Sequence, residues 1–316
     1  MQRKFTIGTR GSDLALWQTN FVKSSLESQF PDARFDVRII KTKGDAVLDT
    51  ALSKIGDKGL FTQELESAML AGEIDLAIHS LKDLPTIQPD GLKIGAVSAR
   101  ETPNDVLIAK SVSAIEDLPI GARVATGSLR RRSQLLAFRS DLEIVEIRGN
   151  VPTRINKFIA SDLDAMILAF AGVHRLGLDS HISQVIPKAI LLPAVGQGVM
   201  AVEIRDGDTE LENMLRAFND DETESCIRAE RAFLRRLEGG CQVPIGANAS
   251  YVGGRLALDG FVGSTDGKRV IRDSSTGLMA DAEMIGTELA ERCLTAGAAE
   301  ILNAARDGSA ASGKVL

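Results

Sequence analysis

The chain has 316 residues, 44% of them hydrophobic, which is more than one core organises and enough to fill two or three. A net charge of -6 and an aromatic content of 4% supply neither the basic face nor the stacking surface of a nucleic-acid binder. Three widely spaced cysteines, Cys226, Cys241 and Cys293, predict a reducing compartment without disulfides or metal, and the lack of a leader-like or membrane-length apolar run predicts a cytoplasmic protein with no membrane partner.

Apolar and β-branched runs predict strands at Phe5–Thr9, Val37–Thr42, Asp75–His79, Gly91–Ser98, Asp105–Ile108, Arg123–Thr126, Glu143–Ile147 and Ala165–Ala169, with amphipathic helical stretches between them. This alternation defines an α/β chain with mixed sheets. Lys54–Phe61, KIGDKGLF, is glycine-punctuated, carries Lys54 and Lys58, and precedes the helical run TQELESAMLAGE. It reads equally as a mobile loop able to close over an anion and as an ordinary surface loop. Pro193–Gly198, PAVGQG, breaks both periodicities and marks a crossover back toward the first domain. From Thr223 the chain starts afresh: a helix over Thr223–Glu238, a glycine-rich β stretch over Ala249–Val262, a strand over Arg269–Ser274, one long Ala-rich helix over Asp281–Arg306, and a frayed tail, DGSAASGKVL.

The carboxyl ends of the predicted strands carry the chemistry. Arg10-Gly11-Ser12 follows the first, Lys82-Asp83 the third, Ser128 with Arg130, Arg131 and Arg132 the sixth, and Arg148-Gly149-Asn150 the seventh. In open α/β sheets such ends line the ligand crevice. Arg130 and Arg131 fall in the first turn of a helix that Ser128 would cap, where a cation opposes the dipole, so an anion site explains them better than helix stability does. A solvated charged face is the plainer reading of an RRR run. The recurrence of cations at Arg10, Lys82, Arg148, Arg154 and Arg175 argues against it and for a ligand rich in carboxylate or phosphate. Asp83 beside Lys82 is placed to stabilise a developing cation or to move a proton, and the competing role is a turn cap before Pro85. His79 reads as a structural histidine.

Cys241 sits in LEGGCQVPIGA, where Gly239-Gly240 would end the preceding helix and present the thiol in a turn. A helix carboxyl end does not favour a thiolate, so a covalent attachment point fits this frame better than an activated nucleophile.

Taken in order, TRGSDLALWQ, KTKGD, GDKGLFTQELE, DLAIHSLKDLP, TGSLRRRSQL, IRGNVPTR, LPAVGQG and LEGGCQVPIGA closely resemble the porphobilinogen deaminase (hydroxymethylbilane synthase) family nearly end to end. The resemblance implies three domains, the first two like the halves of type II periplasmic binding proteins around a cleft and the third a small α+β domain holding the cofactor cysteine. The boundaries would be 1–98 plus 199–218, 99–198 and 219–316. It implies a transferase of porphyrin and haem biosynthesis that condenses four porphobilinogen molecules head to tail on a covalent dipyrromethane primer, releasing ammonia each time and then hydrolysing linear hydroxymethylbilane free. By motif match Cys241 would hold the cofactor as a thioether and Asp83 would be the catalytic carboxylate. Lys82, Ser128, Arg130, Arg131 and Arg148 would bind the cofactor, Arg10, Ser12, Arg148, Arg154 and Arg175 the substrate, and Lys54 and Lys58 would belong to the flexible loop. The implied protein is a monomer. Arg132 stands where a polar residue often follows the arginine pair, and no ligand role is carried onto it.

Two other functions compete: a non-catalytic anion-binding receptor or sensor domain on the same two-domain cleft, and a thiol-dependent transferase using Cys241 as an ordinary nucleophile. The first leaves the Cys241 region without a purpose, and the second predicts no chromophore.

Overall fold

A computed structural model describes residues 3–46, 61–238 and 243–312. In chain order the first stretch forms β1 (Arg3–Thr9), α1 (Asp13–Gln29), β2 (Ala33–Ile39) and α2 (Lys43–Ala46), then α3 (Gln63–Leu70), β3 (Leu76–Ser80) and β4 (Leu92–Val97). Next come β5 (Asp105–Ala109), β6 (Arg123–Ala125), α4 (Leu129–Phe138), β7 (Glu143–Val145), α5 (Val151–Ile159), β8 (Ala165–Ala169), α6 (Phe170–His174) and β9 (Gln184–Val185). The remainder is β10 (Met200–Arg205), α7 (Thr209–Leu215), α8 (Asp221–Arg236), β11 (Ile245–Val252), β12 (Arg255–Gly263), β13 (Val270–Gly277), α9 (Ala282–Thr295) and α10 (Ala298–Ser312).

The described residues form two compact units, one from 3–46, 61–101 and 198–224, the other from 102–197, 225–238 and 243–312. The first holds a five-stranded sheet of order β2-β1-β3-β10-β4, in which β10 runs antiparallel to both neighbours. Ile7, Leu26, Phe35, Leu76 and Ile204 fill its core. The second holds a sheet of order β7-β6-β8-β5-β9, with β5 antiparallel to β8, together with the antiparallel sheet β11-β12-β13. The two five-stranded sheets follow one plan. Each contains a single antiparallel strand that follows directly on a passage from the other unit, β10 or β5, and, with that strand left out of the count, each sets its second, first and third strands side by side with the antiparallel strand next to the third. This is the α/β arrangement implied for paired binding-protein halves, and the three-stranded sheet with α8, α9 and α10 is the small α+β region beyond them. Its core is Ala229, Phe233, Leu256, Leu258, Leu289 and Leu302, joined by Val195.

Several predicted elements lie elsewhere. The second strand is Ala33–Ile39 rather than Val37–Thr42, because Ala33 and Phe35 are the buried half of an edge strand whose β-branched end, Val37 and Ile39, is exposed. The single helix over Asp281–Arg306 is two: Gly297, at φ 98°, ends α9 in a conformation only glycine adopts without strain. The tail read as frayed is helical as far as Ser312. α8 spans Asp221–Arg236, two residues earlier than expected at each end, and Glu238 takes φ 51° just beyond it.

Candidate active site

In the first unit, β1 and β3 are parallel neighbours, with Ile7 opposite Leu76, so the residues after their carboxyl ends emerge on one edge of the sheet. Ser12 caps α1, its hydroxyl accepting from the Ala15 amide at 3.4 Å. Arg10 lies with its guanidinium 4.2 Å from the centroid of the Phe61 ring. Lys82 and Asp83 occupy a single 3₁₀ turn, Leu81–Asp83, held by the Leu81 amide donating to the Val199 carbonyl at 3.0 Å. Asp83 is exposed, and among the described residues its carboxylate accepts no hydrogen bond and forms no ion pair. The turn-cap role is thereby removed: the closing bond of the turn is backbone to backbone, Leu84 amide to Leu81 carbonyl at 3.1 Å. His79, near the end of β3, is buried with its Nε2 3.1 Å from Glu203 Oε2. Glu66 is buried close by, and burial, reinforced by the charge of Glu203, raises its carboxyl above the usual range.

In the second unit, Ser128 follows β6 and caps α4, accepting from the Arg131 amide at 3.4 Å. Asn150 follows β7 and caps α5 in the same way through the Thr153 amide at 2.9 Å. Between Arg148 and that cap Gly149 takes φ 120°, and a Cβ there would stand 2.7 Å from Thr153 Cγ2. Arg154 lies on α5, and Arg175 is buried at the carboxyl end of α6, which follows β8. All six candidates of this unit therefore cluster beyond the carboxyl ends of β6, β7 and β8.

Arg130 and Arg131 are not the open cations that an RRR run suggests. They are 5% and 7% exposed and converge on Asp105, which is fully buried. Arg130 Nη1 donates to Asp105 Oδ2 at 2.8 Å and to the Leu192 carbonyl at 2.7 Å. Arg131 donates to Asp105 Oδ1 from Nε at 3.1 Å and from Nη2 at 2.8 Å, and from Nη1 to the Ile167 carbonyl at 3.1 Å. Gln197 Nε2 adds a fourth bond to the same carboxylate at 2.9 Å. Burial alone would raise the Asp105 carboxyl, but the two guanidinium groups outweigh it and hold the group well below the usual range. Asp105 arrives there by topology. It opens the antiparallel β5 opposite Ala169, so the start of β5 meets the carboxyl end of β8. Sequence reasoning missed it, although a carboxylate heading a wholly buried run, Val106-Leu107-Ile108, is a signal that a cation must be near. Arg148, less buried, forks onto Glu146 Oε1 from Nε and Nη2 at 3.0 and 2.9 Å. Arg132 donates to the Thr265 carbonyl at 3.2 Å and so ties α4 to the β12–β13 turn.

Two guanidinium groups share one carboxylate, which leaves one buried positive charge in excess among the described residues. That donor set suits a ligand carboxylate. Cys241, Lys54 and Lys58 lie outside the described residues. Among the described residues no group of three or more His, Cys, Asp or Glu could hold a metal ion, and no helix is long and apolar enough to cross a membrane.

Two α/β sheets of one plan, with cations and the exposed Asp83 carboxylate beyond the carboxyl ends of their strands, define an α/β protein with its polar candidates at the strand ends. Residues 5–213 match the family description "porphobilinogen deaminase, dipyromethane cofactor binding domain", and residues 224–295 match its C-terminal domain. The chain belongs to the porphobilinogen deaminase family. It is 52% identical over 305 residues to the porphobilinogen deaminase of Chlorobaculum parvum, covering 96% of this chain and 98% of that one. With the protein of that name from Carboxydothermus hydrogenoformans it shares 51% over 306 residues, covering 97% and 98%, and with that from Desulforamulus reducens 49% over 308, covering 98% and 100%. A solved nutrient binding protein from Burkholderia cenocepacia aligns over 68% of the chain and 91% of its own at 12% identity and TM-score 0.42, a likeness too slight to bear on function.

Proposed function

We propose that the chain is a transferase that condenses four porphobilinogen molecules head to tail, releases ammonia at each step, and finally hydrolyses linear hydroxymethylbilane free. The observation that carries this reading is Asp83, an exposed carboxylate with no partner among the described residues, beside Lys82 on the sheet edge that also carries Arg10 and Ser12. A dipyrromethane held by Cys241 would supply the pyrrole carbon that accepts the first unit, and each later unit would add to the ring joined before it. Asp83 then has two tasks. It stabilises the cation left on the substrate when the amine departs, and it takes the proton released from the accepting ring carbon, which leaves with the ammonia. Arg130 and Arg131 hold cofactor carboxylates with the excess charge that Asp105 leaves them, while Ser128 and Asn150 fix the starts of α4 and α5 so that Arg148 and Arg154 can take further carboxylates. Arg10, Ser12 and Arg175 bind substrate, the region 219–316 is a third domain, and the protein acts as a monomer in the cytoplasm. Cys226 and Cys293 take no part: both are buried, and burial pushes the Cys293 thiol up to about 11.

Intact mass of the purified protein tests the cofactor, which should appear as two linked pyrrole units on the peptide containing Cys241. Asp83→Asn should keep that mass at least in part and lose turnover by about 100- to 10,000-fold, with Asp83→Glu less impaired. Wild-type turnover in Asp83→Asn would end the catalytic reading of this residue, and an active, unmodified wild type would end the cofactor reading.

A further inference from the structure

The segment Leu192–Gln197 is bonded on both sides along its whole length, and none of the site roles above uses it. On one side, the Leu192 carbonyl accepts from Arg130 Nη1 at 2.7 Å and from Gln134 Nε2 at 3.0 Å, and the Leu192 amide donates to Gln134 Oε1 at 2.8 Å. At the other end of the segment, Gln197 Nε2 donates to Asp105 at 2.9 Å and to the Pro103 carbonyl at 2.7 Å. This side belongs to the arginine cluster.

The opposite side belongs to the three-stranded sheet. The Ala247 amide of β11 donates to the Pro193 carbonyl at 3.1 Å, and Val195 packs into the core under that sheet. Glu230 of α8, fully buried, accepts from the Gly196 amide at 2.8 Å and from the Ala249 amide of β11 at 2.7 Å, so one carboxylate staples segment and strand together. Gly246 of β11 lies against the same segment so closely that a Cβ would stand 3.0 Å from the Leu192 carbonyl oxygen, 3.1 Å from that of Pro193 and 3.4 Å from Arg130 Cδ.

A buried carboxylate that accepts from the amides of two separate segments fixes their relative geometry. We propose that Glu230 and Gln197 are positioning residues for cofactor capture, and that the Leu192–Gln197 strap they anchor sets the register between the arginine cluster and β11. This rests on the proposed function, in which the carboxylates of the cofactor go to Arg130 and Arg131 while its thioether goes to Cys241, four residues before β11 begins. A ligand held at both ends gains from two sites only when their separation is fixed in advance. The strap is bonded to Arg130, Asp105, α8 and β11.

The test uses full-length apo-protein from a host that makes no porphobilinogen. Porphobilinogen is added, and gain of the two-pyrrole mass on the Cys241 peptide is followed with time, at a temperature well below every variant's thermal midpoint. Glu230→Gln replaces one accepting oxygen by a donor facing an amide, and Gln197→Met removes both donated bonds without changing size much. Each should load about 10- to 100-fold more slowly than wild type while fully folded, as expected for a misplaced binding group. Leu26→Ala, a cavity in the core of the first unit, should lower the midpoint and load at the wild-type rate. Wild-type loading by folded Gln197→Met overturns the proposal even if Glu230→Gln fails to fold, and so does equally slow loading by Leu26→Ala. A wild type that never gains the mass overturns the cofactor reading instead, so the two failures are distinct.

Discussion

Asp105 neutralises one of two buried guanidinium groups, and its lowered pKa makes it one of the groups through which acid destabilises the fold. Its folded pKa lies below the unfolded value near 3.9, so its contribution is fully present above that value and is lost as pH falls through the folded pKa. Asp105→Asn leaves two buried cations without a counter-charge and should cost about 3–5 kcal/mol at neutral pH. Thermal midpoints of wild type and variant should converge as pH is lowered from 5 toward 2, and a gap independent of pH would show that Asp105 is not ionised there. The same burial reverses what an RRR run suggests about stability. Arg130→Leu should destabilise the fold as well as impair the site, because it breaks a buried pair, whereas Arg148→Leu, whose partner Glu146 is half exposed, should cost far less. The positions of Ser128, Arg130 and Arg148 at helix starts could be read from N-cap chemistry alone. Their partners could not: Asp105 is 25 residues from Arg130 and 92 from Gln197 in sequence, and only the antiparallel insertion of β5 joins them.

At the scale of single elements, the strands buried on both faces were legible because their apolar runs are continuous; Ala165–Ala169 matches β8 at both ends. Edge strand β2 was not, since its exposed β-branched half outweighs the buried Ala33 and Phe35 in any reading by composition. The α9–α10 break hides for a similar reason, one glycine in an Ala-rich run. Gly149 offers a sharper test of local geometry. With φ 120° and Thr153 Cγ2 only 2.7 Å from a built Cβ, Gly149→Ala meets both backbone strain and a clash, while Gly177, at φ 67° with nothing within 4 Å, meets the strain alone. Gly177→Ala should therefore cost about 1–2 kcal/mol, and Gly149→Ala more. Gly149→Ala should also weaken loading of the cofactor by shifting the turn that carries Arg148. Equal thermal midpoints for the two variants would remove the steric argument.

For the molecule as a whole, the α/β class with mixed sheets was readable from sequence, but the sharing of strands was not, because it depends on which neighbour a returning strand chooses. β10 is that strand in the first unit. It sits between β3 and β4, so β3 has only β1 beside it and β4 has no native neighbour until Met200–Arg205 is in place. Residues 1–101 produced alone should therefore aggregate, and the same fragment joined by a short linker to residues 198–224 should be soluble with a cooperative unfolding transition; a soluble, cooperative 1–101 would contradict this. On the ribosome the order of synthesis imposes the same delay. Roughly 100 residues separate the end of β4 from the start of β10, about 5–20 s of elongation. During that interval the nascent chain presents the open edges of two apolar strands, a natural station for a holding chaperone and a point at which slow codons would hurt yield without changing any residue.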